Sequence, residues 1–171
     1  MRPVRYSVAM SLDGYIADPT GGYDWIVMDP DIDFGALFKN FDTLLMGRKT
    51  YEMAREQGGG PAMRGMKSYV FSRTLLQEEC PRVTVSADPK ETVTALKQQQ
   101  GKDIWLFGGG GLFQSLLALE LVDAVQVAII PVLLGGGVPV LPSPASRAKL
   151  RLTSHRIYEK TGTVMLDYAV G

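Results

Sequence analysis

Apolar residues fall in short, dense runs separated by glycine-rich and polar stretches, and the runs alternate between two kinds. Residues 4–10 form a compact run with β-branched and aromatic members, which predicts a buried first strand, and the cluster of Asp, Gly, Pro and Thr at 13–14 and 18–22 then marks loop. Residues 31–40 carry Ile32, Leu37 and Phe38 behind acidic residues, the pattern of a short helix whose start is favourably charged. Residues 43–46 are too short and too uniformly apolar for anything but a central strand. Gly47 follows, and residues 48–54 have helix-forming content, so strand, tight turn and helix come in succession. Residues 57–61, a glycine run closed by Pro61, end that helix and are expected to be mobile.

The strand-then-helix alternation continues. Residues 67–71 and 83–85 predict strands, and Asp88-Pro89 opens a helix that runs through Gln100. Residues 103–107 predict another strand, glycines follow, and residues 112–119 form a helix so apolar that it should be buried. Residues 124–130 are the next strand, whereas 131–144, rich in proline and glycine, predict an irregular loop. Residues 149–158 and 163–170 flank Glu159-Lys160-Thr161-Gly162, a hairpin signal that adds an antiparallel edge to a mainly parallel sheet. Without repeats or linkers, residues 1–171 read as one α/β domain.

Charge narrows the partners. Lys plus Arg and Asp plus Glu both number 18, so no overall charge draws the chain onto nucleic acid or anionic lipid, and any anion-binding surface must be local. The apolar run near the N-terminus is broken by Asp13, which predicts neither a secretory segment nor a membrane span and points to the cytoplasm. The single cysteine, Cys80, reads as a turn position rather than an activated thiolate. His155, alone in an edge strand without a second His, predicts no metal site.

Candidate chemistry clusters where strands give way to helices. Gly108, Gly109, Gly110 and Gly111 stand between a strand and a helix, followed by Leu112 and Phe113, so their amides are open to close approach by a phosphate at the positive end of the helix. Tight packing of helix on strand would require the same glycines. The run misses the dinucleotide fingerprint, because its third glycine would fall on Phe113. Gly47-Arg48-Lys49-Thr50 places two cations at a helix start, where they are disfavoured unless an anion neutralises them. It is not a P-loop, since Arg48 and Thr43 occupy that motif's glycine positions. Ser72-Arg73 offers a second cation and hydroxyl at a strand end, and the three sites together predict one extended polyphosphate ligand such as a dinucleotide.

These residues carry a family resemblance. Residues 10–17, Met-Ser-Leu-Asp-Gly-Tyr-Ile-Ala, resemble the first strand and flexible active-site loop shared by dihydrofolate reductases and the reductase domain of the bifunctional deaminase-reductase of riboflavin biosynthesis. Met46-Gly47-Arg48-Lys49-Thr50-Tyr51-Glu52 resembles the segment lining the cofactor phosphates, and residues 107–113 resemble the pyrophosphate turn. The Ser-Leu-Asp-Gly wording and Asp24-Trp25-Ile26 are closest to the riboflavin-type reductase, in stand-alone form.

The resemblance implies a three-layer α/β fold, with helices on both faces of a mainly parallel sheet and a C-terminal antiparallel hairpin. It implies NADPH as cofactor, with Arg48, Lys49, Thr50, Ser72 and Arg73 around the 2′-phosphate and its neighbours, Gly47 and Phe107 to Phe113 along the pyrophosphate, and Ala9, Ile16 and Ala17 beside the nicotinamide. The expected activity is hydride transfer to a pyrimidine- or pterin-like metabolite, most nearly 5-amino-6-(5-phosphoribosylamino)uracil. Dihydrofolate reduction and a non-catalytic nucleotide- or drug-binding module are the alternatives. Asp33, near the first helix, and Asp13 are the candidate catalytic carboxylates. Ser11, Trp25 and Phe38 are the candidate substrate contacts, although Trp25 would serve equally to close its loop over the core, and Asp13 to organise its own. A homodimer is expected from the apolar strand 125–130 and the proline-rich loop after it.

Overall fold

The computed structural model describes residues 1–58 and 65–171. Its frame is an eight-stranded sheet built from β1 (Val4–Ser11), β3 (Phe41–Gly47), β4 (Lys67–Phe71), β5 (Thr84–Ser86), β6 (Asp103–Gly108), β7 (Ala124–Ile130), β9 (Leu150–Tyr158) and β10 (Thr163–Val170). The order across the sheet is β5-β4-β3-β6-β1-β7-β10-β9. All pairings from β5 to β7 are parallel, and β10 adds antiparallel to β7 and β9 to β10.

Alternation along β6 explains the layers. Ile104 and Leu106 enter one apolar cluster with Val93 and Leu96 of α3 (Pro89–Gln98) and Phe113 and Leu116 of α4 (Gly110–Ala118). Trp105 and Phe107 face the other way, toward Phe38 of α1 (Phe34–Phe38) and Tyr51 of α2 (Arg48–Glu56). A strand buried on both faces has no polar side to alternate with, which is why these runs read as uniformly apolar.

Five elements depart from the sequence pattern. The expected helix over 31–40 shrinks to five residues, because Asp31 N and Ile32 N bond back to the Asp29 side chain and carbonyl and hold the chain in a turn before Asp33 caps the helix. Within the segment expected to be irregular, β8 (Val138–Pro139) pairs antiparallel with β2 (Tyr15–Ala17), itself expected as loop. Gly137 makes this possible: at φ +138° a Cβ there would collide with the carbonyl of Ala17. The helix expected from residue 112 starts at Gly110 and buries one face only, leaving Ser115, Ala118 and Leu119 exposed. Finally, β7 lies inside the sheet, between β1 and β10, so the strand expected to offer a dimer surface is covered by its own neighbours. The outermost strand on that side is β9, whose residues are exposed up to Tyr158.

Cys80 ends a 3₁₀ turn (Gln77–Glu79) and is fully buried in the cluster with Tyr51. Of the glycine stretch expected after α2, residues 59–61 lie outside the described residues. Among the described residues, no helix is long and apolar enough to cross a membrane.

Candidate functional site

The sheet has a switch point between β3 and β6. The chain leaves β3 through α2 toward β4, and leaves β6 through α4, on the opposite face, toward β7. Where two neighbouring parallel strands feed helices in opposite directions, a crevice opens beyond their carboxyl ends, and ligands bind there. Both helices start at a glycine N-cap, Gly47 for α2 and Gly109 for α4, and neither cap supplies a side-chain acceptor. Two sets of unpaired N–H groups, each at the positive end of a nine-residue helix, therefore converge. A Cβ on Gly47 would lie 3.9 Å from Gly108 O and Gly109 N, and one on Gly109 would lie 3.5 Å from Thr50 Oγ1, which measures how close the two turns are.

The cations stand at the rim. Arg48, Lys49 and Arg73 are all exposed. Arg48 Nη1 donates to Thr74 Oγ1 (3.1 Å) and its Nε lies 3.7 Å from Glu52, so the guanidinium reaches over the turn after β4. Ser72 is committed to that turn, its Oγ accepting from Thr74 N and Leu75 N, both at 3.1 Å. The four glycines differ. Gly111 faces open space and Gly108 and Gly109 meet only Thr50, but a Cβ on Gly110 would stand 2.8 Å from Pro139 O and 2.9 Å from Pro142. Gly110 therefore packs against the chain, while Gly109 and Gly111 border the crevice. Leu112 is half-buried, and Phe113 is stacked on Tyr6 at 3.9 Å, so its ring belongs to the core.

The remaining candidates divide between a second region and the core. Ala9 is paired with Ala128 on the floor of the sheet, and Ile16 and Ala17 lie on β2, held by β8. Ser11 is buried at the end of β1, accepting from Tyr15 N and donating to Asp13 Oδ1 at 2.7 Å. Asp13 also accepts from Leu134 N (3.1 Å) and Gly135 N (2.7 Å). The Ser11 hydroxyl first, and then these amides, hold its carboxyl down to about 2. Asp13 is thus an ionised clamp between the β1–β2 turn and the loop after β7. Asp33 Oδ1 accepts from Ala36 N at 2.9 Å as the cap of α1. Trp25 donates from its indole to Gly22 O at 3.1 Å, closing its own loop, and Phe38 stacks on Trp105 at 5.4 Å as part of the core.

Sequence reasoning passed over Asp29, Thr74, Pro139 and Thr161. Asp29 and Thr161 meet across 132 positions, and nothing local in the sequence signals such a contact.

The crevice and its two glycine-capped helices define an α/β domain with a cleft at its topological switch point. Comparison with known proteins carries this further: residues 2–164 match the model of the RibD C-terminal domain, and the chain belongs to that family. It is similar to the uncharacterized protein YyaP of Bacillus subtilis (strain 168), 33% identical over 178 residues covering 98% of this chain and 94% of that protein. A Shewanella sp. PV-4 protein proposed to serve riboflavin biosynthesis has a similar structure, with a TM-score of 0.83 at 26% identity over 100% of this chain and 99% of that one. The dihydrofolate reductase of Enterococcus faecalis, solved with NADP(H), shares the fold, with a TM-score of 0.71 at 16% identity over 99% and 96% of the two chains. The fold is dihydrofolate reductase-like and the family is one of reductases of the riboflavin-pathway type.

Proposed function

We propose that this chain is a cytoplasmic, NADPH-dependent reductase that acts on a ribosylamino-pyrimidine, 5-amino-6-(5-phosphoribosylamino)uracil or a close analogue. The convergence of two uncapped helix starts at the β3–β6 switch point carries this reading, because it presents two sets of unpaired N–H groups to one crevice, an arrangement that suits the phosphates of a dinucleotide. The residues fit the cofactor. Gly109 and Gly111 leave room along the turn, the helix amides would hold the pyrophosphate, and the exposed Arg48, Lys49 and Arg73 would hold the 2′-phosphate. NADPH supplies the hydride. Ala9 and Ala128 keep the floor of the sheet low so that two rings can lie against each other.

A second reading, a nucleotide-binding module without turnover, is favoured by one observation: Asp13 and Asp33 both spend an oxygen on backbone amides. In the reductase reading the proton accordingly comes from water. Spectrophotometric NADPH oxidation with the ribosylamino-pyrimidine and with dihydrofolate separates the cases. Turnover of the pyrimidine alone is the expected result; tight NADPH binding with silence on both substrates supports the module.

A further inference from the structure

The carboxylate of Asp29 is 1% exposed and lies in no catalytic arrangement, yet it accepts three hydrogen bonds. Asp31 N donates to Oδ1 at 2.9 Å, while Thr161 N and Thr161 Oγ1 donate to Oδ2 at 3.0 and 2.8 Å. Thr161 Oγ1 lies 2.9 Å from Thr163 Oγ1, and Lys160 Nζ reaches Asp31 Oδ1 at 2.8 Å. Burial pushes the Asp29 carboxyl up, but these donors and the Lys160 charge outweigh it and leave the group lowered. The β9–β10 turn that holds Thr161 sits at the end of the sheet where β1 and β7 finish, because β10 runs back antiparallel from there.

The strap at 18–33 leaves β2 through a turn that Asp18 closes on itself, its Oδ1 accepting from Thr20 N, Thr20 Oγ1 and Gly22 N. At the other end Asp29 fastens the strap to the turn before β10, so the strap passes the carboxyl end of β7. Between these two points Tyr23, Val27 and Met28 are 44, 57 and 63% exposed, and Trp25 and Ile26 are half-buried. A segment that holds apolar side chains in water between two multiply bonded carboxylates is organised for contact with something else.

We propose that Asp29 is a positioning residue: through Thr161 it fixes the strap, and with it Trp25, as the wall against which the substrate ring is held. The wall role rests on the reductase reading. Two indole N–H resonances, from Trp25 and Trp105, report the strap and the core separately, with Trp25→Phe assigning them. Asp29→Asn replaces one acceptor oxygen by an NH2, so that either Asp31 N or the Thr161 donors lose their partner, and Thr161→Val removes one of the Thr161 donors. Both are expected to shift or broaden the Trp25 resonance, leave that of Trp105 in place, and raise the KM for the ribosylamino-pyrimidine roughly tenfold with NADPH affinity unchanged. Thr161→Ser, which keeps the hydroxyl, restores both. An unmoved Trp25 resonance in Asp29→Asn overturns the proposal, and so does a loss of NADPH affinity in step with KM and melting temperature, which marks general support of the fold. If the wild type neither binds nor reduces the pyrimidine, the reductase reading fails and the wall role with it. The Trp25 resonance then still decides whether Asp29 fixes the strap.

Discussion

Gly110 touches Pro139: the space that a Cβ on Gly110 would take lies 2.8 Å from the Pro139 carbonyl oxygen, and Pro142 closes the other side at 2.9 Å. The segment that carries β8 is thereby seated on the first turn of α4. Gly110→Ala is an overpacking change and should cost about 1–3 kcal/mol of stability without any ligand. Gly109→Ala and Gly111→Ala meet no such neighbour, so their apo melting temperatures should stay near wild type while NADPH affinity falls tenfold or more, roughly 1.4 kcal/mol. Calorimetry of the three apo variants beside NADPH titration distinguishes them. Unchanged NADPH affinity in both Gly109→Ala and Gly111→Ala would move the pyrophosphate away from this turn.

NADPH should bind more tightly than NADH, since three exposed cations lie about the start of α2 and the end of β4. Arg48→Ala should narrow the gap by about 1–3 kcal/mol, the scale of one charge-assisted contact. Fluorescence titration with both cofactors measures it, and equal wild-type dissociation constants would remove the role assigned to the basic turn.

Asp13 gives a pH dependence with a definite sign. Its carboxyl is lowered from 3.8 to about 2 in the folded chain, so the ionised clamp contributes stability above the unfolded value that is lost as pH falls through about 2. Asp13→Asn should therefore melt below wild type by a constant margin from neutral pH down to about 4, and the margin should close in more acid solution. A margin that persists undiminished to pH about 2 would mean that the clamp does not depend on the charge.

Lys97 and Asp123 test the far end of the sheet. Lys97 is 6% exposed, and Asp123 Oδ2 accepts both from its Nζ at 2.5 Å and from Val4 N at 2.7 Å. Asp123→Ala strands a buried ammonium and a strand amide, and about 2 kcal/mol of stability should be lost even though Asp123 is partly in water. Lys97→Met, which removes the charge itself, should cost less. Urea midpoints at constant slope check the order, and a larger loss in Lys97→Met would contradict it.

Local pattern was enough for the parallel strands and the hairpin. A strand buried on both faces is a dense apolar run, and a turn such as Glu159-Lys160-Thr161-Gly162 between two runs is a local signal. The same locality exposed the candidate site in part, because uncapped glycines and misplaced cations at helix starts are visible one segment at a time. What brings Gly47 beside Gly109 is strand order, and order is settled by which apolar faces cover each other across the whole chain, so only the tertiary structure decided it. Likewise β8 has two residues and no periodicity of its own; it is a strand because Ala17 arrives beside it and Gly137 lets the backbones close. Phe113 and Gly110 read as ligand contacts by position and turned out to face the core and the proline loop, since a residue's neighbour in sequence does not say which side of the helix will be covered. The bond between Asp29 and Thr161 spans most of the chain, and a hydrogen bond between distant residues leaves no trace in either local pattern.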